Sequence, residues 1–129
     1  MSKYHNKICY ADGYKFDSLK ERDYYFYLKQ KLEGGEISDL QMQVRFEVIP
    51  GVYEEYDEVK HLKTKDKIVH KRRTIQQPTY YLADFVYIDT KTGLKEVVDV
   101  KSEATKKKEA YRLKKKMMLA YKGITVIEV

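Results

Sequence analysis

In 129 residues the chain has one cysteine, no tryptophan, two prolines and six glycines. Each shortage excludes something. Cys9 alone cannot make an internal disulfide and has no CxxC partner, so a disulfide-stapled scaffold and a cysteine-based zinc site are both ruled out. His5, His61 and His70 lack the spacing of a metal cluster and are expected at the surface. No apolar run approaches membrane-spanning length, and Met1 to Asn6 carry no apolar leader segment. No low-complexity linker or internal repeat divides the chain, whose length suits one domain over residues 1–129. Together these absences predict a soluble protein of a reducing cytoplasm with no membrane partner.

What is abundant is charge and tyrosine. Charged residues make up 36% of the chain and hydrophobic residues 43%, enough for a core and too many for global disorder. The formal charge of +6 favours a polyanionic partner, nucleic acid ahead of an anionic membrane surface. Most of the 13 tyrosines fall at strand positions, where packing explains them without base stacking.

Periodicity sets the order of elements. Ile8-Cys9-Tyr10 and Tyr14-Lys15-Phe16 flank a Gly-containing turn and predict an N-terminal hairpin. Ser18 with Glu21 three residues later makes a capping box, and Gly34-Gly35 stops the helix it opens. Tyr25, Leu28 and Leu32 fall on one stripe of that helix, and Glu21 lies on the same stripe. From Leu40 to Ile49 the period becomes two, as a half-buried strand requires. Residues 52–73 begin acidic and turn basic, which fits either a β-ribbon with facing acidic and basic arms or a charged loop. Tyr80 to Asp89 reads as a strand, Thr90 to Gly93 as a turn, and Leu94 to Lys101 as the antiparallel partner. A second helix is predicted from Thr105, its cap, to Lys122, with Ala110, Leu113, Met117, Ala120 and Tyr121 as its buried face. Ile124 to Val129 reads as a closing strand buried on both faces. The sum is an α/β fold, a mixed central sheet flanked by helices.

The chemistry-bearing residues sit on that frame. Asp99 and Lys101 alternate onto one face of their strand, and the hairpin can bring Asp84 beside Asp99. Two carboxylates on apolar strands repel each other and are costly to desolvate unless a cation lies between them. Mg²⁺ suits such a site because it takes hard oxygen ligands and adds phosphate oxygens, and Mn²⁺ can substitute for it. Lys101 could orient a water or offset developing charge. Singly, each residue is better explained structurally: Glu21 as a capping-box member, Asp84 as an edge-strand acid, D-x-K as chance in a charged chain. Their conjunction is what favours a site.

With the helix-borne Glu21, then Asp84, a hairpin and Asp99-Val100-Lys101, the chain resembles the PD-(D/E)xK nucleases, whose restriction-endonuclease-like core is αβββαβ. More closely, Asp12-Gly13-Tyr14-Lys15-Phe16-Asp17-Ser18, Leu40-Gln41-Met42-Gln43, Tyr81-Leu82-Ala83-Asp84-Phe85 and Val98-Asp99-Val100-Lys101 resemble a phage and prophage family labelled as a domain of unknown function. That family has been grouped with Holliday-junction-resolvase-like nucleases. The resemblance implies catalytic roles for Glu21, Asp84, Asp99 and Lys101, metal ligation by Glu21, Asp84 and Asp99, and an accessory role for Gln43. It implies a Mg²⁺-dependent endonuclease acting on branched or recombining phage DNA in a bacterial host. Ala83 stands where the motif has Pro, and Asp99 where Glu is commoner.

Lys106, Lys107, Lys108, Lys114 and Lys115 on the second helix, with Lys71, Arg72 and Arg73, are candidate contacts to DNA phosphates, independent of sequence. Lys107, Lys108, Lys115 and Lys122 are expected on a solvated ridge opposite the core face. Tyr111, Met118 and Leu119 are expected to point outward too, as a homodimer surface or as loose surface apolars. Two other functions fit the same chain: a DNA-binding accessory that keeps the fold without turnover, and an RNA-binding or protein-interaction module whose acidic cluster is structural.

Overall fold

The structure is a computed structural model that describes residues 7–129. The expectations for His5 and for the leader-free segment Met1 to Asn6 lie outside the described residues. The chain divides into two compact units, one made of the residues up to Phe46 and from Tyr81 onward, the other of Glu47–Tyr80.

In the first unit, β1 (Cys9–Ala11) and β2 (Tyr14–Phe16) form the antiparallel hairpin, with Cys9 opposite Phe16. Helix α1 (Leu19–Glu33) follows. Ser18 is extended there and its Oγ accepts the Glu21 N–H at 3.1 Å, satisfying a donor the first turn leaves open. At the other end Glu36 N–H reaches back to the Lys31 carbonyl at 2.9 Å, which requires Gly35 to take φ +75°. Strands β3 (Ile37–Ile49), β6 (Thr79–Asp89), β7 (Lys95–Asp99) and β8 (Ile127–Glu128) make one sheet in the order β3-β6-β7-β8. β6 and β7 are antiparallel and β7 and β8 parallel, so the sheet is mixed and the fold is α/β. Phe16, Tyr25 and Leu28 pack with Ile37, Phe85, Val98 and Val100 in one core cluster. Each such side chain, fully buried, contributes about 1.5–3 kcal/mol. Leu32, expected on the same stripe, is exposed.

The second predicted helix is two helices, α2 (Glu103–Lys106) and α3 (Glu109–Lys122). A helix starting at Thr105 would set Lys106, Lys107 and Lys108 against its own positive end. Instead Ser102 is the cap, accepting Thr105 N–H at 3.2 Å, Glu103 fills the first turn and Lys106 the last. Helix α3 restarts with Glu109 in its first turn and ends at Gly123. Its inward face is also not the expected one. Met118 is buried and Tyr111, Lys115 and Met117 are half-buried, whereas Ala110, Leu113, Ala120 and Tyr121 are exposed. The closing strand is shorter than expected and forms the edge of the sheet: Val126 is buried but Ile127 is exposed.

The second unit is an antiparallel ribbon of β4 (Val52–His61) and β5 (Asp66–Gln76), with Tyr53 opposite Thr74 and His61 opposite Asp66. Of the two forms open to residues 52–73, the ribbon is the one adopted. Arg73 donates to Glu54 at 2.6 and 2.9 Å, and Lys71 and His70 pair with Glu58 and Asp57. Opposite charges thus meet across the strands.

Candidate active site

The antiparallel ladder of β6 and β7 runs down to Phe85 opposite Val98 and there changes character. Asp84 N–H donates to Asp99 Oδ1 at 2.9 Å, and Val100 N–H donates to Asp84 Oδ2 at 2.9 Å. Side-chain carboxylates replace backbone carbonyls as acceptors, which fixes both acids against the strand ends. Asp99 Oδ2 also accepts the Tyr81 hydroxyl. Just past β7, Lys101 donates its ammonium to Asp84 Oδ2 at 3.0 Å. From β3, Gln43 Nε2 reaches Glu21 Oε1 at 2.9 Å and Asp84 Oδ1 at 3.4 Å. Glu21, Gln43, Asp84 and Lys101 are therefore one connected polar chain, supplied by α1, β3, β6 and the residues after β7.

Gln43 stands at φ +54° in the middle of a strand. A left-handed backbone at a non-glycine residue is strained, and such strain is kept where the surroundings hold it. Here it accompanies an amide aimed between two carboxylates. Beside the chain lies a cavity of about 230 Å³, lined among others by Asp17, Lys20, Glu21, Lys101, Ser102 and Thr105.

Burial governs the electrostatics. Glu21, Asp84 and Asp99 are 4%, 4% and 0% exposed. Burial, then the neighbouring Asp84 and Asp17, pushes the Glu21 carboxyl up to about 7. Burial likewise raises the Asp99 carboxyl. For Lys101 burial acts downward, but Asp84, Asp99 and Glu21 together outweigh it and hold the ammonium above its ordinary value. Lys101 is the positive centre around which all three acids are arranged.

The three acids expected to share a cation do not form a cage. Among the described residues no group of three His, Cys, Asp or Glu side chains is gathered closely enough to hold a metal ion. Both oxygens of Asp99 accept hydrogen bonds, from Asp84 N–H and from the Tyr81 hydroxyl, so Asp99 ties β6 to β7. Mg²⁺ in phosphate chemistry commonly uses only one or two carboxylates, with waters and substrate oxygens filling its shell. Asp84 and Glu21, joined through Gln43, meet that requirement.

Tyr81 and Tyr111 also lie at the site, although the residue pattern assigned Tyr81 no role of its own and placed Tyr111 facing outward. Among the described residues the buried Tyr111 hydroxyl has no hydrogen-bond partner, and burial, with Asp99 and Asp84 nearby, raises its pKa. The expected phosphate contacts are placed unevenly. Lys107 and Lys114 are exposed, and Lys106 pairs with Glu103 at 3.2 Å. Lys108 is the N-cap of α3. Lys115 is not on the outer ridge: it is half-buried, pairs with Glu128 and lies 5.7 Å from the Tyr111 ring. On the ribbon, Lys71 and Arg73 are ion-paired and Arg72 lies 3.8 Å over the Tyr53 ring. Among the described residues no helix is long and apolar enough to cross a membrane.

No curated protein and no solved structure matches the chain. A family model described as protein of unknown function (DUF1064) matches residues 1–127. The chain, with its polar network of Glu21, Gln43, Asp84 and Lys101, belongs to the DUF1064 family.

Proposed function

We propose that this protein is a divalent-metal-dependent DNA endonuclease with a restriction-endonuclease-like core, acting on branched or recombining DNA. The observation that carries the reading is the connected chain in which exposed Gln43 and half-buried Lys101 join the two buried acids Glu21 and Asp84. With the hairpin and ribbon set aside, the order α1, β3, β6, β7, the α2–α3 pair and β8 supports an αβββαβ core. Buried acids around one lysine are costly for stability, so their presence calls for a chemical use.

Phosphodiester hydrolysis supplies that use. Water oxygen bonds to phosphorus, a P–O ester bond breaks, and the leaving alkoxide gains a proton. Glu21, joined to Asp84 through Gln43, is placed to take the proton that the attacking water loses. Lys101 offsets negative charge gathering on the phosphoryl oxygens. Gln43 keeps Glu21 and Asp84 in register, and Asp99 holds the backbone of Asp84. Asp84 and Glu21 would hold the cation, which when bound polarises a phosphoryl oxygen and lowers the pKa of a ligated water.

The test is incubation with duplex, flap and four-way-junction DNA in Mg²⁺, Mn²⁺ or EDTA. Cleavage of at least one substrate in either metal, abolished in EDTA, is expected. Binding without cleavage under all conditions would leave a non-catalytic DNA-binding protein, and the enzymatic reading would fall.

A further inference from the structure

The ribbon does not distribute its charge evenly. Towards its Tyr53–Thr74 end Arg73 pairs with Glu54 and Lys71 with Glu58, and Arg72 lies over the Tyr53 ring. At the other end the pattern reverses. Lys60 stands directly opposite Lys67, the like-charge arrangement that strand pairs ordinarily avoid. The turn joining the strands, closed by Leu62 N–H to the Lys65 carbonyl at 2.9 Å, adds Lys63 and Lys65. All four lysines are exposed. The only acid in this stretch, Asp66, is engaged by His61 at 2.8 Å. Four lysines against Asp66 leave a formal charge of +3 between Lys60 and Lys67.

We propose that this ribbon tip is a docking surface for the phosphate backbone of DNA, with Lys60, Lys63, Lys65 and Lys67 as its contacts. The proposal rests on the nuclease reading for its choice of polyanion, and it moves the ribbon's contacts away from Lys71 and Arg73. Those two already have carboxylate partners that a phosphate would have to displace. Lys60 and Lys67 are in the opposite position: without a polyanion they repel each other, and phosphates between them would turn repulsion into attraction. Lysine is a flexible point charge and gives contact without base reading, so the surface serves any sequence.

The experiment measures binding of a short labelled DNA duplex in Ca²⁺, as a function of salt, for the wild-type protein and the Lys60→Gln/Lys63→Gln/Lys65→Gln/Lys67→Gln variant. Each lysine–phosphate pair removed should flatten the slope of log affinity against log salt by about 0.9, so a fall of about two to four is expected. Affinity at moderate salt should drop on the order of tenfold to a hundredfold. A Glu54→Gln/Arg73→Gln variant, which removes equal and opposite charges, should keep the wild-type slope. Should the fourfold variant fold poorly by circular dichroism, Lys63→Gln/Lys65→Gln in the turn alone should still lower the slope by about one to two. An unchanged slope in a folded variant, with wild-type cleavage in Mg²⁺ intact, overturns the tip and leaves the nuclease reading standing. Failure of the wild-type protein to bind any DNA overturns both.

Discussion

The two units handle charge in opposite ways. On the ribbon, charges are exposed, and away from its lysine tip carboxylates meet cations across the strands; the Arg73 and Glu54 side chains are 62% and 47% exposed. In the sheet unit, Glu21, Asp84 and Asp99 are almost wholly buried, and Lys101 is the cation set among them. Exposed pairs cost little to make and contribute little, because water and salt screen them. Buried acids are costly to hold ionised, and the structure commits backbone N–H groups, a tyrosine and a strained glutamine to them. A chain that only needed to fold could place apolar residues there. The difference separates charge that solvates a surface from charge retained for chemistry.

The sharpest way to break that contrast is at Asp99. Asp99→Ala leaves the Asp84 N–H and the Tyr81 hydroxyl buried without their acceptor, so a loss of about 3–5 kcal/mol is expected in urea denaturation. A loss below about 1 kcal/mol would put Asp99 on the same footing as the ribbon's surface pairs. Asp84→Asn keeps an oxygen for Val100 N–H but removes the charge. It and Lys101→Ala should each lower cleavage at least about a hundredfold, with duplex affinity in Ca²⁺ nearly unchanged. Near wild-type turnover in either variant would detach the buried cluster from the proposed chemistry.

Glu21 gives a pH test of the same contrast. Its carboxyl titrates near 7 in the folded protein and near 4.5 when free of its surroundings. The native state therefore holds the proton more tightly, and stability declines as pH rises from 4.5 to 7, then levels off. The decline amounts to about 3–4 kcal/mol. Glu21→Gln keeps the acceptor for Gln43 and removes the titration. The variant should match wild type in acid and exceed it by that amount above neutrality, while its cleavage falls. Parallel stability curves for the two proteins would mean that burial does not penalise the charge on this acid.

Much of this was legible in the residues. Ser18 and Gly34-Gly35 bracket α1 in both sequence and structure, the alternation from Leu40 to Val48 marks β3, and Thr90 to Gly93 joins β6 to β7. Asp84 beside Asp99 follows from that hairpin. The phase of α3 was not legible, because hydropathy treats Lys115 as outward and Leu113 and Tyr121 as inward. The Lys115 ammonium lies over the Tyr111 ring and finds Glu128, a residue whose proximity only the tertiary fold creates. Asp99 as a tie between strands, with Tyr81 as its donor, was equally hidden. Nothing in a glutamine announces the left-handed backbone that Gln43 adopts.

The smallest effect belongs to the ribbon. Arg73 reaches Glu54 directly across the strands with two donors on one oxygen. Both side chains nonetheless stand about half in solvent, and each gives up rotamer freedom to hold the contact. A double-mutant cycle over Glu54→Gln and Arg73→Gln should therefore give a coupling of about 0.2–1 kcal/mol by urea denaturation, shrinking as salt is raised. Asp99, with no exposure, should show no comparable salt dependence in its own loss. A salt-insensitive coupling above about 2 kcal/mol would show that the ribbon pair is desolvated. The two units would then differ in the use of their charges but not in the physics that holds them.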